Sequence, residues 1–358
     1  MICCTECFND FEIKAVIESI GHRGNCPICN SNNVWIYDSD LDLDKSELEE
    51  LLSSVLEIYK PEELLSTEFP DEDKKSIEQH LYEDWNIFSG TQTQIKQIIK
   101  TIISDSIDLE NKLLDCKTGI PELYDDTYLE QNSIMGKYTW EEFRKSLRNE
   151  NRFHSKYINP VILGEVLKDT EVIIKAGLKL YRARLSNKDG LKRREMGAPP
   201  DDIASSGRAN SKGISCLYLS DKRETTVKEI RAGAFDYATI ATFKLRRNLR
   251  ILDLSIITHS SPFYAKTDKI KYLINENHLR KIERDLAKPL SSRDSDLDYL
   301  PTQYISDFAK YMGYDGVKYL STFDKTSYNI AVFDKDACEC IYHRNYLIGD
   351  LDYRLSKV

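Results

Sequence analysis

Leu178-Lys179-Leu180-Tyr181-Arg182-Ala183-Arg184 marks a change of texture along the chain. From about residue 170 onward, short runs rich in β-branched and aromatic residues replace helical periodicity, and such runs between turn residues read as strands. Cys216–Ser220, Tyr237–Leu245, Leu249–Leu254, Val317–Ser321 and Ile330–Phe333 are of the same kind. Few helices interrupt them. Thr225–Arg231 follows a strand and its Asp221 turn, and Tyr304–Met312 carries Ile305, Phe308, Ala309 and Met312 at helical spacing. The second half of the chain therefore reads as an α+β domain.

The stretch before it is helical. Ser46-Glu47-Leu48-Glu49 reads as a capping box, followed by Leu48, Leu51, Leu52, Val55 and Leu56 on one face until Pro61. A second helix is expected after Thr91 or Thr93, with Ile95, Ile98, Ile99, Ile102 and Ile103 as its apolar stripe, and a third over Thr139–Leu147. Residues 39–165 are thus expected to form a helical domain. It resembles the HEPN class, some members of which are ribonucleases, but that motif sets Arg and His five positions apart. Here Arg148 and His154 stand six apart with Asn149 in the required place, so no ribonuclease activity is expected. The remaining histidines show no metal or triad spacing.

At the front, Cys4-x-x-Cys7 and Cys26-x-x-Cys29 repeat the spacing of zinc ribbons, and four thiolates brought together by two tight turns make a closed tetrahedral site for structural Zn2+. Cys3 competes with Cys4 for the first ligand position. Residues 1–38 are the expected ribbon. With only Lys14 and Arg23 as cations there, protein contact or domain stapling fits it better than a phosphate clamp.

At 358 residues the chain exceeds one ordinary core. Its 41% hydrophobic and 30% charged residues are those of a globular protein. The net charge of −9 is concentrated between residues 39 and 80, where fourteen acidic residues face four lysines, so no broad nucleic-acid-binding surface is expected. No run approaches the length of a membrane span, and the start lacks the basic and apolar segments of a secretory signal. A cytoplasmic location, reduced cysteines and no membrane partner are the expectations.

Four ordered blocks resemble the RES family of toxins, relatives of the ADP-ribosyltransferases. These are Leu180-Tyr181-Arg182-Ala183-Arg184; then Gly207-Arg208-Ala209-Asn210 with Gly213 and Leu217-Tyr218-Leu219-Ser220; then Thr225-Thr226-Val227-Lys228-Glu229; and Gly313-Tyr314-Asp315-Gly316-Val317-Lys318-Tyr319-Leu320-Ser321, with Asn329 and Phe333 close behind. Ala209 departs from the bulkier residue of many relatives. The resemblance implies an ADP-ribosyltransferase-like mixed β-sheet over residues 170–345, followed by a tail at 346–358. It implies NAD+ as substrate, a toxin or defence role, and a separate antitoxin or other inhibitory partner. Homo-oligomerisation stays open.

The resemblance also assigns roles. Glu229 would stabilise the oxocarbenium-like ribose left when nicotinamide departs, as carboxylates do in glycoside cleavage. Arg182 and Arg208 would hold the phosphates through their planar forks, with Asn210 beside them, and Tyr218 would stack on nicotinamide. Ser321 would orient the ribose or the amide. Water or phosphate is the implied acceptor; a protein acceptor, or an inactive zinc-stapled interaction module, are the alternatives. No G-x-G-x-x-G is present. Residues 255–300, rich in Ser, Asp and Lys, are expected to cover the pocket as a lid.

Overall fold

The computed structural model describes residues 2–40, 46–103, 112–255, 261–263, 268–288 and 295–349. By their contacts the residues form two units, Met1–Ser133 with Ser260–Asn275 and Ile134–His259 with Glu276–Val358.

In the first unit, β1 (Ile2–Cys4), β2 (Arg23–Gly24) and β3 (Val34–Asp38) form a sheet in the order β1-β3-β2. The helix Phe11–Ile20 starts at Asp10, whose carboxylate accepts the Glu12 and Ile13 amides, and stops at Gly21 with φ 80°. The helices Ser46–Leu56 and Gln92–Ile102 bury the two expected stripes together with Phe8, Ile13 and Ile17. Thr91 and Gln94 form the capping box of the second. β4 (Lys60–Pro61) pairs with β5 (Thr118–Gly119).

The second unit is built on an eight-stranded mixed sheet. Its strands are β6 (Glu171–Ile174), β7 (Lys179–Ser186), β8 (Leu217–Ser220), β9 (Tyr237–Leu245), β10 (Leu249–Asp253), β11 (Gly316–Ser321), β12 (Asp324–Val332) and β13 (Cys338–Leu347), in the order β13-β9-β7-β8-β12-β11-β10-β6. Among the described residues only β10 and β11 pair in parallel. Strand alternation sorts the side chains cleanly. Leu252, Leu254, Val317, Tyr319 and Ala331 face one layer, made by the helices Trp140–Asn149, Pro160–Lys168 and Leu300–Tyr311 and by residues 276–287. Leu217, Leu219, Phe243, Ile251, Ile330 and Val332 face the other.

Residues 134–165, expected with the helical segment, thus pack on this sheet: Trp140, Phe143, Leu147, Ile162 and Leu163 belong to its core. The helix Lys269–Ala287 likewise buries Leu279, Ile282 and Leu286 in this core, which makes that part of the expected lid a packing element. The rest of that stretch falls largely on 256–260, 264–267 and 289–294, and the expected tail largely on 350–358, all outside the described residues.

One junction in the sheet is weak. β7 pairs with β9 along its whole length from Lys179 to Ser186, but with β8 only at Tyr181↔Ser220. The candidate site lies at this junction.

Candidate functional site

Register places one row of polar side chains across four strands: Tyr319 on β11 opposes Asn329 on β12, Asn329 opposes Ser220 on β8, and Ser220 opposes Tyr181 on β7. All four line a cavity of about 260 Å3, together with Arg182, Gly207, Arg208, Tyr218, Thr226, Glu229 and Tyr299. Glu229 ends the helix Arg223–Glu229, which packs against β7 and β8.

The Glu229 carboxylate is held on both oxygens. Oε1 accepts from the Asn329 side-chain amide at 2.7 Å and from the Ser321 hydroxyl at 2.9 Å, while Oε2 faces the Arg208 guanidinium at 3.4 Å. The Arg208 and Glu229 side chains are only 12% and 18% exposed, so the pair is poorly screened yet still open to the cavity. Burial opposes the Arg208 charge, but Tyr319 and Glu229 outweigh it and its pKa is raised.

Arg182 is different. Its Nη1 donates to the Tyr218 carbonyl at 3.4 Å, whereas its buried Nε has no partner. Burial first, and the neighbouring Arg184 charge second, push its pKa down to about 10. It remains a cation at neutral pH and lines the cavity. A buried cation in that condition is costly unless an anion completes it.

Arg208 sits on a loop with almost no freedom. The Tyr218 hydroxyl accepts from the Ala209 amide at 2.9 Å and donates to Asn210 Oδ1 at 2.6 Å. The Asn210 amide donates to the carbonyls of Ser205, Ser211 and Ile214. Gly207 is required where it stands, since a Cβ there would lie 2.5 Å from Asn210 Oδ1 and 2.6 Å from the Tyr218 hydroxyl.

Of the residues expected from sequence, Arg182, Arg208, Tyr218 and Glu229 line the cavity. Ser321 and Asn210 do not. Ser321 stands behind Glu229, and the Asn210 side chain is spent inside its own loop, which corrects its expected contact with substrate. Tyr181, Tyr299, Tyr319 and Asn329 line the cavity without having been assigned roles. For Asn329 a signal existed, since an amide in an otherwise apolar strand end (Asn329-Ile330-Ala331-Val332) needs a buried partner. In the helical stretch, Arg148 pairs with Asp298.

In the first unit, Cys4, Cys7, Cys26 and Cys29 bring their sulfurs together within 4.8 Å. The Cys4–Cys7, Cys4–Cys29 and Cys7–Cys26 distances are 3.8, 3.4 and 3.7 Å. A tetrahedron with metal–sulfur bonds of about 2.3 Å has edges of about 3.8 Å, so the four thiols fit a zinc-sized ion. Cys3 lies on the same strand one residue away and is absent from the group, as the alternation of β1 requires. Asn30, at φ 61°, makes the turn after the second pair.

The second unit is an α+β domain, with a carboxylate and two arginines lining the cavity at the seam of its mixed sheet. Residues 179–356 match the family model of the RES domain, and this part of the chain belongs to that family. No curated protein matches the chain. Among solved structures, it is similar at 14% identity and a TM-score of 0.33 to a chain in the crystal structure of the M. tuberculosis MbcT–MbcA toxin–antitoxin complex, covering 52% of this chain and 92% of that one. Among the described residues no helix is long and apolar enough to cross a membrane.

Proposed function

We propose that the second unit binds NAD+ in the seam cavity and breaks its nicotinamide–ribose bond, with the products free nicotinamide and an ADP-ribosyl group passed to water or phosphate. The observation that carries this reading is the Glu229 carboxylate, fixed by Asn329 and Ser321 on one oxygen and open to the cavity beside a cation on the other. As the bond breaks, its electron pair leaves with nicotinamide and positive charge develops on the ribose. A carboxylate already oriented at that point stabilises the charge without reorganising. Attack by water then yields ADP-ribose and a proton; attack by phosphate yields the 1-phosphate.

The Arg182 and Arg208 guanidinium groups, both on the cavity lining, suit the two phosphates of a dinucleotide. Tyr218, whose hydroxyl is committed, has its ring left to offer nicotinamide. The four-cysteine cluster would hold a structural Zn2+ in a closed site, apart from the chemistry. In the cell this activity would serve a toxin or defence effector restrained by a separate partner, as the RES resemblance implies.

Incubating the purified chain with NAD+, with and without phosphate, and resolving the products by chromatography and mass tests the reading. Nicotinamide release that is lost in Glu229→Gln is the expected result. NAD+ left intact by the wild type would overturn it, and label retained on polypeptide would assign protein ADP-ribosylation to the same site.

A further inference from the structure

The Arg208 loop is clamped from a second direction by the first turn of the helix Leu300–Tyr311. Gln303, 4% exposed, directs its amide nitrogen at three acceptors: the Ser206 hydroxyl at 2.8 Å, the Gly207 carbonyl at 2.8 Å and the Asn210 carbonyl at 3.0 Å. Its carbonyl oxygen receives the Ser211 hydroxyl at 3.4 Å. Beside it, Thr302, 1% exposed, reaches the carbonyl of Arg208 itself at 2.7 Å. Neither residue lines the cavity. Between them they accept or satisfy polar groups on 206, 207, 208, 210 and 211, while Tyr218 and Asn210 hold the other side of the same loop.

Anchors in this number also fix the one long side chain that the loop presents to the cavity. Within this segment Gly207 lacks the side chain that would strike the Tyr218–Asn210 pair, Ala209 is buried, and Asn210 is consumed internally. Arg208 alone projects to the cavity, between Glu229 and Tyr319. Gln303 is suited to the clamp as no carboxylate would be, because two of its partners are carbonyl oxygens that only accept. Replacing its NH2 by an oxygen would set acceptor against acceptor at both.

We propose that Gln303 is a positioning residue for anion recognition: through its clamp on residues 206–210 it fixes the Arg208 guanidinium where the diphosphate of the substrate binds. This rests on the NAD+ reading of the cavity. The consequence is selective, because the loss falls on binding of the phosphates and less on the carboxylate, whose Oε1 stays held by Ser321 and Asn329 when Arg208 on Oε2 shifts.

The test uses the full chain and compares wild type, Gln303→Glu, Gln303→Met, Arg208→Ala and the two double variants with Arg208→Ala. Binding of ADP-ribose is measured by calorimetry, and KM and kcat for NAD+ are measured in parallel. Thermal unfolding identifies any variant that fails to fold, and Gln303→Met, which keeps the volume without the donors, then carries the test. The expected result is a loss of ADP-ribose affinity and a rise in KM of about tenfold or more in each Gln303 variant, with kcat nearly constant, and no further loss when the same change is made in Arg208→Ala. Additive losses in the double variants, or an unchanged KM, would overturn the assignment. Failure of the wild type to bind ADP-ribose or cleave NAD+ would instead strike the reading of the cavity; the clamp itself would then be judged by amide exchange across residues 205–211, which must rise in Gln303→Met for the assignment to stand.

Discussion

Asn329 donates its side-chain amide to Glu229 at 2.7 Å from the middle of a row that runs Tyr319–Asn329–Ser220–Tyr181 across the sheet. The carboxylate is therefore aimed by the pairing of β11 with β12 as much as by its own helix. Asn329→Leu, close in volume but without donors, is expected to lower the rate of nicotinamide release about tenfold or more, with a smaller effect on KM. Steady-state kinetics on NAD+ check this. A rise confined to KM, with kcat unchanged, would show that Asn329 acts on binding alone.

A Cβ at Gly207 would collide with both partners of the Tyr218–Asn210 hydrogen bond. Gly207→Ala should destabilise the chain by about 1–3 kcal/mol and weaken NAD+ binding. Gly316→Ala gives a contrasting outcome, because its Cβ would strike the Ala331 backbone carbonyl, which cannot move without opening β11 from β12. Chemical denaturation should show the larger loss for Gly316→Ala.

Much of this was legible in the sequence, for physical reasons that differ along the chain. Thr91 and Thr139 announce their helices because a capping box is local, with Gln94 and Glu142 three residues on. The apolar strands from β7 to β11 were likewise visible. β13 was not, since Tyr342-His343-Arg344-Asn345 on an edge strand lacks the apolar pattern of a buried one. The front half of β12 was missed because its polar residues are occupied with partners far along the chain, Ser327 with Asp221 and Asn329 with Glu229. The cavity row depends on register between strands far apart in the chain, as in Ser220 with Asn329, which no local pattern encodes.

Zinc content provides a separate prediction. Cys4→Ser, Cys7→Ser and Cys26→Ser should each lower bound zinc and destabilise the first unit, whereas Cys3→Ser should leave about one zinc per chain. Metal analysis of the purified variants distinguishes them, and loss of zinc in Cys3→Ser would reassign the first ligand.

Cys216, 4% exposed, has its thiol pushed up to about 12 by burial, against the lowering influence of Arg182. At pH 8 it should resist alkylation in the folded chain, because the thiolate is the reacting form. The folded state holds this proton where the unfolded thiol, near its ordinary value of 9.0, gives it up. The associated stability is present below pH 9 and lost as pH climbs toward 12. Unfolding measured at pH 7, 9 and 11 should show a shallower alkaline decline in Cys216→Ala than in wild type.

The single β7–β8 contact at Tyr181↔Ser220 leaves the large sheet as two ladders joined by one rung. The ladders β13-β9-β7 and β8-β12-β11-β10-β6 still share one apolar core, with Leu180 and Phe243 packed among Leu217, Leu219 and Ile330, and the helix Arg223–Glu229 packs on both β7 and β8. A molecule lodged in the seam touches both, Tyr181 and Arg182 on one side and Tyr218, Asn329 and Tyr319 on the other. A bound substrate would then add a bridge across the seam, and occupancy would raise the resistance of the β7–β8 junction to local opening.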